Sequence, residues 1–150
     1  MKTIIYSPGD PAGIGPDIFL SLMHEGFFEY IKANVVCMGD KELFHSRSKE
    51  LGYSLEINSF SNINDINEKV GFLEIIKCHD ISSGILNSTN SEYVIENLDF
   101  AIDTCIKKMG FGLVTGPISK ENIVEGGYSF SGHTESCLLY TSDAADEVQC

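Results

Sequence analysis

The stretch YSPGDPAGIGPDIFL, residues 6–20, contains three prolines and three glycines between a short apolar run and an amphipathic segment. Proline fixes φ, and glycine adopts backbone conformations that are closed to other residues, so the stretch predicts a loop with one enforced shape. The apolar run at residues 3–7 predicts a buried strand, and Ile18, Phe19 and Leu22 fall on one face of a following helix. A strand, a glycine-bearing turn and a helix are typical of a parallel α/β sheet.

The same alternation of apolar runs and helical patterns continues along the chain. The sequence predicts strands at residues 34–39, 72–76 and 112–116, the last as a central strand, and helices at residues 40–52 and 91–110. Strands that alternate with helices indicate a largely parallel sheet with helices on both faces. We therefore predict an α/β fold, an α/β/α sandwich.

Local signals refine these boundaries. Asp40 is the predicted N-cap of the helix at residues 40–52, and Gly52 is its predicted end. Residues 58–69, rich in Asn, Ser and Asp, are predicted to form a surface connection.

Composition limits the partners of the protein. A chain of 150 residues fits one domain, and a net charge of −12 disfavours nucleic acid and anionic membranes as partners. No run approaches the ~18 apolar residues of a membrane span, and the first residues do not form a secretory signal, so the sequence predicts a cytoplasmic protein. The cysteines are odd in number and widely spaced, which predicts reduced and mainly buried thiols: Cys37, Cys78, Cys105, Cys137 and Cys150.

The glycine- and proline-rich loop is the first candidate site. In open parallel sheets ligands bind at the carboxyl ends of the strands, and a helix start there presents free N–H groups to an anion. However, no Gly-Lys-Ser/Thr follows the loop, and Gly13 and Gly15 lack the third glycine of the dinucleotide fingerprint. The residues alone leave two alternatives open, a ligand-facing loop and a structural tight turn.

The second candidate site is VTGPISKENIVEGGYSFSGHTE, residues 114–135. Lys120 lies in the turn after a predicted strand, and His133 and Thr134 follow Gly132. Imidazole and hydroxyl groups both donate hydrogen bonds to a polar ligand, and glycine allows its close approach. The alternatives are that His133 caps a helix or is satisfied in the core, and that Lys120 is a solvated surface lysine.

Three motifs in order, PGDPAGIGPDI, TGPISKENI and FSGHTE, resemble the 4-hydroxythreonine-4-phosphate dehydrogenase family of vitamin B6 synthesis. The resemblance covers residues 1–135, less than half of a typical family chain, and implies an isocitrate/isopropylmalate dehydrogenase-like fold. It also implies an NAD(P)-dependent oxidation of 4-phosphohydroxy-L-threonine to a 2-amino-3-oxo acid phosphate, which decarboxylates to 3-amino-2-oxopropyl phosphate. Asp17 departs from the glutamate that is usual in the family.

The resemblance implies cofactors and partners as well. In the family three histidines hold a divalent metal (Zn, Mg or Co) in a cleft across a homodimer interface. Those histidines lie beyond the FSGHTE motif, and His24, His45 and His79 do not match their positions. We therefore expect no metal ligand and no catalytic residue within this chain, which by itself would be inactive.

The resemblance assigns roles residue by residue. It implies that His133 and Thr134 bind the phosphorylated hydroxy amino acid substrate, and Lys120 matches the lysine of the TGP-loop motif. Gly13 and Gly15 match the N-terminal loop and are weaker candidates for binding NAD or NADP.

Two further expectations concern the identity of the protein and its end. A sister branch that oxidises 4-phospho-threonate or 4-phospho-erythronate, and a non-catalytic phosphate-binding α/β module, remain alternatives. Residues 1–135 are predicted to be a partial N-terminal α/β region, and residues 136–150 leave the family pattern and are predicted to be a non-native tail.

Overall fold

Five parallel strands form the sheet of the protein in a computed structural model, which describes residues 2–146 and side chains as far as Leu139. The spatial order of the strands is β3-β4-β2-β1-β5. The strands are β1 (Thr3–Ser7), β2 (Asn34–Met38), β3 (Ser59–Phe60), β4 (Val70–Leu73) and β5 (Gly112–Thr115).

Helices connect the strands and follow the last of them. The α-helices are α1 (Gly15–His24), α2 (Lys41–Glu50), α3 (Ser91–Ile106), α4 (Lys120–Glu125) and α5 (His133–Asp146), and short 3-10 helices cover Phe27–Tyr30, Ile63–Asp65 and Ser88–Asn90. The predicted α/β class and the parallel sheet are confirmed. None of the helices within residues 2–146 has both the length and the apolarity needed to cross a membrane.

The sheet buries both of its faces because consecutive strand residues point to opposite sides. On one face, the strand residues pack against Ala101 of α3: Ile5, Val36, Met38 and Leu73. On the other face, Tyr6, Val35, Cys37 and Phe72 belong to a cluster that includes Phe19 of α1 and Phe44 of α2. The rings of Tyr6 and Phe19 stack with centroids 5.1 Å apart. This packing fixes β1, from which the first candidate loop begins.

Several predicted boundaries are confirmed. β1 and β2 lie where the apolar runs predicted them. Asp40 is the N-cap of α2, and its Oδ1 accepts a hydrogen bond from the Glu42 N–H at 2.8 Å. Gly52 follows the end of α2 with φ +76°.

Other predictions need correction. The strand predicted at residues 72–76 lies instead at Val70–Leu73, because its partner β2 ends opposite Leu73 and the Glu74 carboxylate turns away to accept the Lys41 N–H at 2.8 Å. The predicted surface connection at residues 58–69 contains β3, a two-residue strand at the sheet edge, and a 3-10 turn. α3 ends at Ile106 rather than near residue 110.

β5 also departs from its prediction. It lies at an edge of the sheet that residues 2–146 form, not in its centre. Val114 is 51% exposed and Thr115 is also exposed, because no strand of the described sheet lies on that side. The prediction from its apolar run was therefore correct for the strand and wrong for its position.

The cysteines are less uniformly buried than predicted. Cys37 is buried, whereas Cys78, Cys105 and Cys137 are partly buried, and these four form no disulfide. Burial raises the pKa of the Cys37 thiol well above its ordinary value. Cys150 lies outside the described residues.

Candidate functional site

The two candidate loops leave adjacent strands at the same end of the sheet. β1 and β5 pair in parallel with Ser7 opposite Thr115, so their carboxyl ends lie side by side. The Gly116 N–H donates a 2.7 Å hydrogen bond to the Ser7 carbonyl and extends this pairing by one residue. Both loops therefore lie at the carboxyl ends of the strands, where parallel α/β proteins bind ligands, as predicted.

The backbones of the two loops are in direct contact. A methyl group on Gly9 would overlap the Pro117 carbonyl, and one on Gly116 would overlap the Pro8 carbonyl. Gly9 also has φ +81°, a conformation that disfavours any side chain. The Asp10 N–H donates to the Pro117 carbonyl at 3.2 Å. The two glycines are thus explained by the close approach of two chain segments.

A buried arginine holds the first loop from the other side. The Arg47 side chain of α2 is 4% exposed, and its guanidinium donates to Asp17 Oδ1 at 2.6 Å and to the Pro11 carbonyl at 2.9 Å. It also donates to the Gly13 carbonyl at 3.4 Å. A planar guanidinium can satisfy several acceptors at once. Arg47 therefore fixes the loop to α2.

Gly13 and Gly15 have contacts of their own within this loop. A methyl group on Gly15 would overlap the Pro8 carbonyl, and the Gly15 carbonyl accepts a 3.0 Å hydrogen bond from the Tyr6 hydroxyl. α1 begins at Gly15, and Pro16 is its second residue. These packing contacts explain why residue 15 is a glycine. A cofactor-binding role for Gly13 and Gly15 stays a prediction.

His133 is the first residue of α5 and is partly buried. Its Nε2 atom is enclosed, yet it has no hydrogen-bond partner among the described protein atoms. The Phe130 ring meets the imidazole edge-on at 5.9 Å between centroids. An enclosed polar atom without a partner is costly in a folded protein. The unpaired Nε2 differs from the alternative stated above, in which all hydrogen-bonding groups of His133 have partners in the core.

Lys120 supplies positive charge beside this imidazole. The pKa of His133 is lowered from its ordinary value of 6.5, first by burial and then by the charge of Lys120. A methyl group on Gly132 would lie 2.6 Å from Glu135 Oε2 and 3.3 Å from Lys120 Nζ. Gly132 has no side chain and a φ of +147°. The side chains of Lys120 and Glu135 can therefore lie close to the backbone of this residue, which precedes His133.

Thr134 and His133 line a common cavity between β5 and α5. The cavity has a volume of about 450 Å³, and its lining residues are Leu113, Thr115, His133, Thr134, Cys137 and Leu138. Thr115, at the carboxyl end of β5, lines this cavity together with His133 and Thr134.

The structure thus brings together three of the predicted site residues, Lys120, His133 and Thr134, and places Gly13 and Gly15 on the neighbouring loop. Sequence reasoning missed Asp10 and Asn122, whose side chains join the two loops. Among the side chains that the structure describes, as far as Leu139, no group of three or more His, Cys, Asp or Glu residues could hold a metal ion.

The protein is a parallel α/β domain with two contacting loops at the carboxyl ends of its strands, which is the place where proteins of this class bind small molecules. The family model described as pyridoxal phosphate biosynthetic protein PdxA matches residues 31–146. The chain belongs to this family.

Known relatives agree with this assignment. The chain is 35% identical over 138 residues to a 4-hydroxythreonine-4-phosphate dehydrogenase of Sodalis glossinidius (strain morsitans), covering 89% of this chain and 41% of that protein. It is 35% identical over 135 residues to a protein of the same name from Saccharophagus degradans, covering 88% of this chain and 39% of that one. The chain therefore spans about two fifths of the length of these curated relatives.

A solved structure confirms the fold. The crystal structure of a 4-hydroxythreonine-4-phosphate dehydrogenase from Burkholderia phymatum superposes with a TM-score of 0.79 at 19% sequence identity. The match covers 95% of this chain and 44% of that one.

Proposed function

We propose that this chain is the N-terminal part of an NAD(P)-dependent and divalent-metal-dependent dehydrogenase that oxidises 4-phosphohydroxy-L-threonine. The product, a 2-amino-3-oxo acid phosphate, loses carbon dioxide to give 3-amino-2-oxopropyl phosphate in vitamin B6 synthesis. Membership of the PdxA family and the names of the relatives support this proposal. The coverage of about two fifths of those relatives supports a part of the enzyme rather than the whole, and the N-terminal assignment rests on the order of the three motifs.

The reaction removes two hydrogens from a secondary alcohol. The carbon-bound hydrogen would leave as hydride and the hydroxyl hydrogen as a proton, so that a carbonyl forms, and NAD or NADP, when bound, would supply the hydride acceptor. A divalent metal, when bound, makes the hydroxyl easier to deprotonate and stabilises the developing negative charge on its oxygen. The described residues offer no cluster for such a metal, so we expect its ligands in the part of the enzyme that this chain does not span.

His133 carries the proposal, because its enclosed Nε2 has no hydrogen-bond partner among the described residues and His133 lines the cavity. The lowered pKa of His133 keeps the imidazole neutral at pH 7. A neutral imidazole can donate or accept a single hydrogen bond at Nε2, depending on its tautomer. A substrate hydroxyl or carboxylate would satisfy that atom, and the Thr134 hydroxyl would provide a second hydrogen bond.

Lys120 supplies the positive charge that the neutral imidazole lacks. It is an exposed cation close to His133 in a protein with a net charge of −12. An ammonium group pairs well with a phosphate or carboxylate. We assign the phosphate or carboxylate end of the substrate to Lys120 and the polar groups nearer its reacting carbon to His133 and Thr134.

The remaining assignments complete the proposal. Gly13 and Gly15 are proposed to lie beside NAD or NADP, and the full-length enzyme is proposed to act as a cytoplasmic homodimer. The boundary after residue 135 stays a prediction. The family match and α5 both extend to residue 146, so they do not mark a change of structure at residue 136.

The experiment is a turnover assay of the full-length enzyme that contains this segment. We expect NADH or NADPH formation with 4-phosphohydroxy-L-threonine, and loss of that activity after removal of divalent metal. A strong preference for 4-phospho-threonate or 4-phospho-erythronate would assign the enzyme to the sister branch. Phosphate binding without turnover of any of the three substrates would indicate a non-catalytic module and overturn the proposal.

A further inference from the structure

One buried carboxylate lies between the two loops of the candidate site. Asp10 is only 4% exposed, and its Oδ1 accepts the Ala12 N–H at 2.9 Å within the first loop. Its Oδ2 accepts a hydrogen bond from Asn122 Nδ2 at 3.4 Å, although the two residues are 112 positions apart in sequence. The single side chain of Asp10 therefore links the first loop to α4.

Asn122 fixes the first turn of α4 to its surroundings. It is buried, and its N–H donates to Oγ of Ser119, the N-cap of α4, at 3.2 Å. Its carbonyl accepts a 3.0 Å hydrogen bond from Ser91 Oγ of α3. Lys120 lies two residues before Asn122 in the same turn, so the direction of the lysine side chain depends on how this turn is held.

We infer that Asp10 is a positioning residue, which acts through Asn122 to hold Lys120 in place beside His133. This inference rests on the proposed function, because it assigns to Asp10 the placement of a substrate-binding cation. Asp10 itself is hydrogen-bonded to Ala12, Gly13, Asn122 and the Pro117 carbonyl, and the hydrogen bonds of its side chain go to Ala12 and Asn122.

The chemistry of Asp10 suits orientation better than simple packing. Burial raises the pKa of the Asp10 carboxyl, while hydrogen bonds from Ala12 and Asn122 lower it. Burying a carboxylate is unfavourable unless its oxygens are hydrogen-bonded, and an apolar side chain would fill the same space without that cost. The carboxylate adds two directed hydrogen bonds, one from the Ala12 N–H within the first loop and one from the Asn122 side chain on α4.

The test compares variants of the full-length enzyme. We expect Asp10→Ala and Asn122→Ala each to raise KM for 4-phosphohydroxy-L-threonine about tenfold, the size of one lost hydrogen bond to a charged group, with a smaller change in kcat. The double variant is expected to be no worse than either single variant, because both changes remove the same link. Asp10→Asn keeps an acceptor for the Ala12 N–H but places an NH₂ donor opposite Asn122 Nδ2, so the Asn122 amide must turn its Oδ1 toward residue 10, and KM is expected to recover only in part.

The matched control is Asp40→Ala. Asp40 is also a buried aspartate, 3% exposed, and its carboxylate accepts hydrogen bonds from the N–H groups of Glu42 and Cys78, which belong to neither loop. This control is expected to lower stability and leave KM unchanged. Reduced stability with unchanged KM in both Asp10→Ala and Asn122→Ala would overturn the positioning role, and so would additive effects in the double variant. If Asp10→Ala does not fold, Asn122→Ala carries the same comparison.

Hydrogen exchange separates this inference from the proposed function. The amides of residues 120–123 are expected to exchange faster in Asp10→Ala and Asn122→Ala than in the unmodified enzyme or in Asp40→Ala. This measurement does not need turnover. An inactive unmodified enzyme would contradict the proposed function alone, whereas unchanged exchange at these amides would contradict the role of Asp10.

Discussion

The two loops that follow the carboxyl ends of β1 and β5 differ in how they are held. The loop after β1 is enclosed: Pro8 and Asp10 are buried, and Arg47 binds its carbonyls from behind. The segment after β5 is open, with Lys120 and Thr134 exposed and a cavity beside His133. In this molecule the more distinctive motif provides a rigid support, and the chemistry that we propose lies on the segment that it supports.

This difference separates conformational constraint from ligand contact. Prolines and glycines in the first loop allow a close backbone approach, and most of its polar groups already have protein partners. The second segment keeps an imidazole atom without a partner and a cation near it. A loop rich in glycine is therefore weak evidence for a binding site, because contact between chain segments also requires glycines.

The largest expected effect comes from substitution at the contact between the loops. In the full-length enzyme, Gly9→Ala is expected to reduce the free energy of unfolding by about 3 kcal/mol or more, because the new methyl group overlaps the Pro117 carbonyl. The matched control is Gly52→Ala, since Gly52 has a similar φ of +76° and no atom near the new methyl group. It is expected to lose about 1 kcal/mol. Equal losses in urea denaturation would show that the two loops are not in close contact.

A smaller loss is expected when the support behind the first loop is removed. Arg47→Met leaves the Pro11 carbonyl and the Asp17 carboxylate without their donor, and we expect a loss of about 2–3 kcal/mol. Lys49→Met, at an exposed position of the same helix, is the control, with an expected change below about 0.5 kcal/mol. An Arg47 variant as stable as the control would contradict the account of the enclosed loop.

The smallest expected effect is electrostatic and lies in the open segment. Because Lys120 lowers the pKa of His133, Lys120→Met is expected to raise that pKa toward its ordinary value, as measured by NMR titration of the imidazole. Lys107→Met is the control, because Lys107 pairs with Asp103 on α3. An unchanged His133 pKa in Lys120→Met would show that the two side chains do not interact.

The same pKa shift sets the sign of a pH dependence. The unfolded chain takes up a proton on His133 near pH 6.5, whereas the folded protein does so only at lower pH. The contribution of His133 to stability is therefore lost as pH falls below about 6.5, until the folded form is protonated as well. Lys120→Met is expected to reduce this loss of stability. If the protein instead became more stable as pH falls through this range, in step with protonation of His133, the predicted sign of the pH dependence would be wrong.

The sequence predicted the regular parts of the fold well because they follow apolar periodicity. β1, β2 and α2 lie where the pattern placed them, and Asp40 caps α2. β3 could not be predicted, since a two-residue edge strand in a polar segment leaves no periodic signal. The edge position of β5 depends on which strands pair with it, and its own residues do not carry that information.

The candidate site was predicted in part, and for a different reason. Residue types beside a glycine made Lys120, His133 and Thr134 candidates, and the resemblance to family motifs then assigned their role in binding substrate. The proximity of Lys120 to His133 depends on the turn at Gly132, and the link from Asp10 to Asn122 spans 112 positions with no local pattern to indicate it. Long-range polar contacts of this kind become visible only in the folded structure.

The central claim is that His133 and Thr134 bind the phosphorylated substrate. The most direct measurement is kcat/KM for 4-phosphohydroxy-L-threonine in the full-length enzyme carrying His133→Ala and Thr134→Ala together, with His79→Ala as a control at an exposed histidine outside the site. The loss of two substrate hydrogen bonds is expected to reduce kcat/KM by about a hundredfold or more, with the control unchanged. The loss of one hydrogen bond alone would reduce kcat/KM by more than about twofold. A double variant whose kcat/KM stays within about twofold of the unmodified enzyme would therefore contradict the claim.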